Sequence, residues 1–231
     1  MSENNYDSFA ADYQSDNERN AWNAYYERPA ILALAGDVNG VRVLDAGCGG
    51  GAHAAELLDR GAILTGVDSS AGMLGIAQHR LKGRAKLLNA DLNKPLPFDD
   101  GSFDLVLSSL AMHYLPDWSL PLSEFNRLLV PGGRFVFSTH HPFMDHQSSG
   151  HDNYFTTYHF QESWRRGEKD ILMSFWHRPL HVMFDALKAA GFRVDILSEP
   201  QPDPRARELF PAAYQSLITN PRFIFFSVIK E

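Results

Sequence analysis

A glycine-rich segment is the strongest chemical signal in the sequence. Residues 43–51 read Val-Leu-Asp-Ala-Gly-Cys-Gly-Gly-Gly, after a short β-branched run and before a predicted helix over residues 52–59. Glycines let a backbone turn tightly and approach a ligand, and the start of a helix offers free N–H groups. Asp68 lies 23 residues after Asp45, at the end of the next predicted strand, where a carboxylate can bind two ribose hydroxyls. The pattern predicts a nucleoside-binding site.

The acid in this segment distinguishes between nucleoside ligands. Asp45 stands two residues before the first glycine, where its charge repels a pyrophosphate but suits a ligand with a cationic end, such as the amino group of S-adenosylmethionine. A nicotinamide fingerprint reads G-x-G-x-x-G, whereas this loop reads G-x-G-G-G, and no Tyr-x-x-x-Lys pair follows the fourth predicted strand. We therefore rank a nicotinamide oxidoreductase last.

The elements that must position these residues alternate between strand and helix. That alternation over residues 37–139 predicts a parallel sheet with right-handed crossovers. Pro131-Gly132-Gly133 is expected to end the helix before the fifth strand. The predicted strands are 41–44, 63–67, 85–89, 103–109 and 134–139, and the predicted helices are 52–59, a segment capped by Ser69 or Ser70, and 117–129.

The flanking segments read differently. Residues 1–36 carry an aromatic-to-aliphatic stripe at helical spacing. Residues 140–178 are rich in histidine and aromatics and have no strong period. A helix over 180–190, a proline-punctuated loop over 200–211, and closing strands over 192–197 and 222–229 complete the prediction.

Several segments together resemble the class I S-adenosylmethionine-dependent methyltransferases of the small-molecule type (methyltransferase type 11). The resemblance covers most of the chain and is best over residues 37–139. It implies a single α/β domain with a Rossmann-like seven-stranded sheet, the last strand antiparallel and helices on both faces. It further implies an N-terminal helical lid (1–36), a cofactor-binding core (37–139), a substrate-cap insertion after strand five (140–178) and a closing helix and strands (179–231). The matching segments are 44–51, 66–70 with 73–74, 89–92, 103–106 with 110–115, and 131–133.

The resemblance also implies S-adenosylmethionine as cofactor, with S-adenosylhomocysteine as product, and a role for each motif residue. Asp45 and the backbone of the glycine loop would face the methionine portion, and Asp68 would bind the ribose. Met73 would pack on the adenine, while Asp91 would accept from the adenine amino group beside the Leu92 N–H. The full cofactor-binding set is Tyr13, Asp45, Gly47, Cys48, Gly49, Asp68, Ser69, Met73, Asp91, Leu92 and Ser109.

Three histidines are candidate catalytic bases for the methyl acceptor. His113 follows the fourth predicted strand, and His140 and His141 follow the fifth, at the sheet edge where ligands bind. Histidine titrates near neutrality, so each could take a proton from the acceptor. A structural hydrogen bond or an exposed loop position is the alternative for each. Asp145 and Tyr26 are weaker candidates of the same kind.

Aromatic side chains could form the acceptor pocket. Tyr26, Phe143, Trp164 and Trp176 are the candidates, because aromatic walls suit a flat aromatic acceptor or a cationic amine. A small satellite core is the alternative for them. Seven of the ten histidines lie between residues 140 and 181, but their spacing matches no known metal site, so no metal is expected.

Composition limits the remaining classes. The 231 residues are 44% hydrophobic and 21% charged, as in ordinary globular proteins, and no apolar run reaches transmembrane length. The net charge of −7 disfavours nucleic acid, and the single Cys48 with no secretory signal fits the cytoplasm. We expect a monomer or homodimer, without a membrane partner, acting in secondary metabolism.

The predicted reaction is in-line methyl transfer to a small aromatic molecule at oxygen, nitrogen or carbon. Two alternatives stay open: a quinone-pathway ring C-methyltransferase, which shares the same motifs, and a non-catalytic S-adenosylmethionine-binding module.

Overall fold

The computed structural model describes residues 16–166 and 169–231. In chain order its strands are β1 (Arg42–Ala46), β2 (Ile63–Asp68), β3 (Lys86–Asn89), β4 (Phe103–Ser109), β5 (Leu129–His140), β6 (Tyr158–Arg166), β7 (Lys169–His177), β8 (Phe192–Ser198) and β9 (Phe223–Lys230). Seven of these nine described strands lie where strands were predicted, β5 begins five residues earlier than expected, and β6 and β7 were not predicted.

The helices fill the predicted crossovers. A π-helical turn (Asn23–Glu27) leads into the first helix, and a 3-10 turn (Met112–Tyr114) follows β4. The helices are α1 (Arg28–Ala35), α2 (Ala52–Asp59), α3 (Ala71–Leu81), α4 (Ser119–Leu128), α5 (Pro142–Ser149), α6 (Leu180–Ala189), α7 (Ala206–Leu209) and α8 (Pro211–Leu217).

Seven strands form one sheet in the order β3-β2-β1-β4-β5-β9-β8. The pairs from β3 to β5 are parallel, while β9 runs antiparallel to both of its neighbours, β5 and β8. The expected seven-stranded sheet with an antiparallel last strand is therefore confirmed. Strand order reverses between β1 and β4, and such a switch point opens a crevice at the carboxyl ends of the two strands.

Alternating side chains give the sheet two apolar faces. In β4, Leu105 and Leu107 pack on one face while Val106 packs on the other, as the two-residue period of a strand requires. The first face is covered by α1, α2 and the end of α3, and the second by α4 and α6. Helices on both faces are thus confirmed.

The Pro131-Gly132-Gly133 segment differs from the expected turn. Helix α4 ends at Leu128, and β5 already begins at Leu129. Phe103 of β4 pairs with Leu129, but Leu105 pairs with Arg134, so the glycines lie in a bulge inside the strand. Gly132 has φ 73°, which a bulge can demand and glycine supplies.

The histidine- and aromatic-rich segment has more order than its sequence indicates. It begins with α5 and continues as a β6–β7 hairpin that stands apart from the main sheet. Buried Phe160, Met173 and Phe175 form a small apolar cluster of their own beneath the hairpin. Likewise, the predicted loop over 200–211 contains the short helix α7.

Candidate active site

A cavity of about 520 Å³ lies at the carboxyl ends of the central strands. Its floor is the glycine loop after β1, and further walls follow β2, β3 and β4. The 3-10 turn and strand β7 close one side. The lining residues are Asn17, Asn23, Arg28, Gly47–Gly50, Ala52, His53, Asp68, Ser69, Met73, Ala90–Asn93, Ser109–Ala111, Tyr114–Pro116, Ser174 and Trp176.

The glycine loop is fixed against β2. The N–H groups of Gly47 and Cys48 both donate to the carbonyl of Val67, at 2.8 and 2.9 Å. Gly47 has φ 84°, and a Cβ there would lie 2.7 Å from the Cβ of Ala111. Only glycine meets both demands, so the loop can lie this close to the segment after β4.

Asp68 connects the loop to the end of β2. Its Oδ2 accepts from the Gly49 N–H at 2.8 Å, and its Oδ1 accepts from the Ser70 N–H at 2.9 Å. A carboxylate has about four acceptor positions, so it can still bind the hydroxyls of a ligand. Ser69, which follows it, also lines the cavity.

Asp45 is buried beside the loop, with 1% of its surface exposed. Its Oδ2 has no hydrogen-bond partner among the described residues, and it is not one of the lining side chains. Burial raises the pKa of Asp45 to about 7; His53 opposes this shift, whereas Asp68 and Glu27 add to it. A buried, unsatisfied carboxyl oxygen fits a cationic group brought by a ligand.

The opposite end of the cavity carries the residues expected at an adenine. Met73 is 4% exposed, lines the cavity, and donates its N–H to the Ser70 hydroxyl at 3.1 Å. Asp91 and Leu92 border the same end, where Asp91 Oδ1 accepts from the backbone and side chain of Asn93 at 3.0 Å. A flat apolar wall beside a carboxylate suits a purine with an exocyclic amine.

Ser109 belongs to a buried cluster that sequence reasoning missed. Its hydroxyl and that of Ser138 each donate to Oε1 of Glu27 at 2.7 Å, while His53 Nε2 lies 2.9 Å from Oε2. Burial raises the pKa of Glu27, but His53 and the two hydroxyls outweigh it, so the pKa lies below its ordinary value. Glu27 is therefore an anion with no exposed surface.

The missed signal lies in the π-helical turn. This turn buries both Tyr26 and the adjacent Glu27, so a charged residue occupies a position inside the apolar stripe. The sequence does place a carboxylate next to an aromatic position of the stripe, and this feature could have indicated a buried Glu27. Tyr13, the remaining predicted cofactor residue, lies outside the described residues.

The three candidate base histidines do not line the cavity as the described residues define it. His113 is 2% exposed and stacks on His140 at 3.8 Å between ring centroids, and His140 Nδ1 lies 2.9 Å from Asp145. Burial, with a smaller contribution from His140, places the pKa of His113 well below its ordinary value. His113 is thus a neutral, packed side chain.

His141 has a structural position. Its Nδ1 accepts from the Phe143 N–H at 3.3 Å, which caps α5, and its Nε2 lies 2.7 Å from Glu199. Burial lowers the pKa of His141, although Glu199 opposes the shift. These contacts match the structural alternative, so a catalytic role for the three histidines stays a prediction.

The predicted substrate aromatics separate into different environments. Trp176 lines the cavity. Tyr26 lies in the core, stacked on Phe223 at 5.6 Å. Phe143 is 55% exposed on α5, and Trp164 packs against Phe175 in the hairpin cluster. Of the four, only Trp176 has a position from which it could contact a ligand in this cavity.

Cys48 and the histidine-rich segment are the remaining candidates for a reactive thiol or a metal site. Cys48 is 5% exposed, and burial raises the pKa of its thiol, so it is a packed, unreactive side chain. No group of three or more metal-ligating side chains is found within residues 16–166 and 169–231.

A family model described as a methyltransferase domain matches residues 44–137. This range spans β1 to β5 and includes the glycine loop, Asp68 and Ser109. A solved structure of an S-adenosylmethionine-dependent methyltransferase from Mesorhizobium loti is similar, with a TM-score of 0.74 and 29% identity. The match covers 87% of this chain and 96% of that chain.

Curated relatives match over the core. The malonyl-[acyl-carrier protein] O-methyltransferase of Erwinia billingiae is 43% identical over 105 residues, covering 43% of this chain and 39% of that protein. The demethylmenaquinone methyltransferase of Clavibacter sepedonicus is 39% identical over 117 residues, covering 48% and 47%. The chain thus spans less than half the length of these two relatives.

Fold, motifs and matches together support a class I S-adenosylmethionine-dependent methyltransferase. S-adenosylmethionine is the cofactor of this class, and the site fits it. Asp68 lines the cavity with a carboxylate, and Asp45, buried beside the glycine loop, has an oxygen without a hydrogen-bond partner among the described residues. Among the described helices, none has the length and apolar character needed to cross a membrane.

Proposed function

We propose that the protein transfers the methyl group of S-adenosylmethionine to a small acceptor with a flat or apolar body. The observation that supports the proposal most directly is a single cavity with two chemically different ends. One end holds Asp68, Met73 and Asp91, and the other is lined by Tyr114, Leu115, Pro116 and Trp176. A cofactor in the first end would present its methyl group toward the second.

The sheet order supports this orientation. Asp91 follows β3, Asp68 ends β2, the glycine loop follows β1, and Ser109 ends β4. Neighbouring strands lie about 4.8 Å apart, so these groups are arranged in a row. Adenine at Asp91 and ribose at Asp68 would leave the methionine portion between the glycine loop and Ser109.

When bound, the cofactor supplies an activated methyl group on a positively charged sulfur. The chain's own task is then to bind both partners, align them and exclude water, which can contribute about 7–11 kcal/mol to lowering the barrier. Tyr114 and Trp176 would hold the acceptor against the methyl group. A base is needed only if the acceptor must lose a proton, and it would add about 10²–10⁴-fold.

A quinone-type ring acceptor is the second candidate. The 39% identity to a demethylmenaquinone methyltransferase favours it, and an aromatic ring suits the Tyr114–Trp176 wall. The relative named for malonyl-[acyl-carrier protein] shows 43% identity over the same core, so likeness of the core does not select the methylated atom.

The test uses methyl-labelled S-adenosylmethionine, an extract fractionated by size, and a panel of phenols, quinols, indoles and amines. We expect label in the small-molecule fraction, and less of it with the Asp68→Ala variant, in which cofactor binding is weakened. Label in RNA or protein would contradict the proposed substrate class. Cofactor binding with no transfer to any fraction would favour the non-catalytic binding module.

A further inference from the structure

Arg178 is a buried cation directly after strand β7, two residues beyond Trp176. Only 4% of its surface is exposed, and its Nη1 has no hydrogen-bond partner among the described residues. Burial lowers the pKa of Arg178 to about 10, while the charge of Asp117 opposes the shift, so the guanidinium keeps its charge at neutral pH. A buried cation with an unsatisfied donor costs free energy, so stability alone does not explain this residue.

The described hydrogen bonds of Arg178 go to the backbone of the acceptor end. Its Nη2 donates to the Leu115 carbonyl at 3.3 Å and to the Pro116 carbonyl at 3.0 Å. Leu115 and Pro116 both line the cavity, whereas Arg178 is not one of the lining residues. The guanidinium therefore lies behind the cavity wall and holds it from the protein side.

Trp118 connects Arg178 to the start of the same segment. The Arg178 guanidinium lies over the Trp118 ring, with 4.4 Å between Cζ and the ring centroid. The Nε1 of Trp118 donates to the Met112 carbonyl at 2.9 Å, and the ring is fixed in the core, 2% exposed. Carbonyls at both ends of the segment 112–116 are thus bound by two side chains that stack on each other.

Strand β7 brings the opposite wall of the acceptor end into contact with this segment. Ser174 and Trp176 line the cavity, while Phe175, on the other face of the strand, stacks on Tyr114 at 5.5 Å between ring centroids. Stacked rings can slide past each other, whereas a guanidinium bonded to two carbonyls has a defined direction. Arg178 is therefore the directional link between the two walls.

We propose that Arg178 is a positioning residue that sets the separation between residues 114–116 and Trp176, and thereby determines which acceptors fit the cavity. It acts through the backbone and does not touch the acceptor. The inference rests on the proposed function, because that function places the acceptor between these two walls. A displacement of about 1 Å in a reacting geometry can cost about 10²-fold in rate, so a small shift of one wall is enough to alter selectivity.

Arg178→Met tests the proposal, because methionine keeps an apolar chain near Trp118 but removes the charge and both hydrogen bonds. Steady-state kinetics would use the panel acceptor that the wild type methylates best and an analogue of it with one additional methyl group. We expect the variant to raise the KM of the preferred acceptor about tenfold and to reduce the preference over the bulkier analogue about tenfold. The Kd of S-adenosylhomocysteine, measured by isothermal titration, should stay unchanged.

Arg134→Met is the matched control. Arg134 also donates to the carbonyls of two consecutive residues, Leu34 and Ala35, and none of the three lines the cavity. This variant should leave the acceptor KM and the preference unchanged. Arg178→Lys keeps the charge but loses the planar stack on Trp118, so intermediate values are expected.

Thermal unfolding separates positioning from a purely structural role. We expect ligand-free Arg178→Met to unfold within a few degrees of the wild type, because the loss of two hydrogen bonds is offset by removal of a buried charge. A purely structural arginine would instead lower the unfolding temperature and leave the acceptor preference as it was, which would overturn the proposal. Partial rescue of the preference by Arg178→Lys would support it.

Hydrogen exchange of the ligand-free protein adds a measurement that needs no acceptor. In Arg178→Met we expect faster exchange in peptides covering 112–118 and 171–177, and unchanged exchange in the glycine loop, 43–52. Unchanged exchange in the first two segments would overturn the inference, as would an unchanged KM and preference in an active variant. A wild type that methylates no acceptor would instead overturn the proposed function itself, so the two failures are distinguishable.

Discussion

The two ends of the cavity are built in different ways. The cofactor end comes from loops that directly follow β1, β2 and β3, and each contributes its ligand-facing residues within a few positions of the strand. The acceptor end combines the 3-10 turn after β4 with strand β7 of the hairpin. Strand ends fix the first set of residues, whereas tertiary packing of distant segments fixes the second.

The difference has consequences for function. A loop that is hydrogen-bonded to a parallel sheet keeps its geometry. Here two hydrogen bonds to the Val67 carbonyl hold the glycine loop in place. A hairpin that packs through its own small cluster can change its residues without disturbing the sheet. One end is thereby suited to a constant cofactor, and the other to an acceptor that differs between family members.

The largest effect is expected at Gly47. Replacing it with valine forces a β-branched residue into φ 84° and a Cβ to within 2.7 Å of Ala111, so strain and overpacking should each cost about 1–3 kcal/mol. We expect cofactor binding to disappear in isothermal titration. Gly75→Ala is the control: it lies in α3 with nothing near the added Cβ, and it should stabilise the fold.

Asp45 should make stability depend on pH. Its folded pKa of about 7 lies above its unfolded value, so its contribution is fully present below the unfolded pKa. That contribution is lost as pH rises through about 7, on the order of a few kcal/mol. Ligand-free Asp45→Asn should therefore unfold at a higher temperature than the wild type at pH 8, with the gap closing toward pH 4.

The same variant should bind S-adenosylmethionine more weakly at pH 8, because the amino group loses its anionic partner. A stability gap independent of pH would show that Asp45 ionises normally in the fold. Unchanged cofactor affinity would remove it from the methionine end.

Asp68 should affect cofactor binding directly. Asp68→Ala removes the acceptor for the Gly49 and Ser70 N–H groups and the proposed ribose contact. We expect a loss of about 1–3 kcal/mol in cofactor binding, or about 5- to 150-fold, by isothermal titration. Asp59→Ala, on the exposed end of α2, is the control. Equal affinities for the two variants would exclude the ribose assignment.

Two aromatics test the acceptor end. Trp176 lines the cavity, whereas Phe143 is 55% exposed on α5. Trp176→Ala should raise the acceptor KM about tenfold and leave the cofactor Kd unchanged. Phe143→Ala should alter neither value. A reversed result in steady-state kinetics would move the acceptor site to the outer face of α5.

The smallest effect on turnover is expected from His141. Its contacts with the Phe143 N–H and Glu199 are structural, so His141→Ala should lower the free energy of unfolding by about 1 kcal/mol with little change in kcat. A base would behave oppositely, losing about 10²–10⁴-fold in kcat at constant cofactor affinity. The same assay on His113→Gln and His140→Gln shows whether either acts as a base.

The sequence signals for the cofactor end are local, so the elements that carry its residues could be predicted. The glycine loop, Asp68 and the five parallel strands each follow from short-range spacing, and the structure confirms the sheet. The acceptor end depends on contacts that spacing does not encode. Glu27 meets Ser109 and Ser138 through contacts between segments far apart in the chain. The separation of Trp176 from Trp164 likewise depends on how the hairpin is placed.

A crystal structure of the protein with S-adenosylhomocysteine tests the central claim most directly. The account predicts adenine between Met73 and Asp91, both ribose hydroxyls on Asp68, and the sulfur facing the Tyr114–Trp176 end. The ligand in a reversed orientation, or bound away from the ends of β1, β2 and β4, would contradict it.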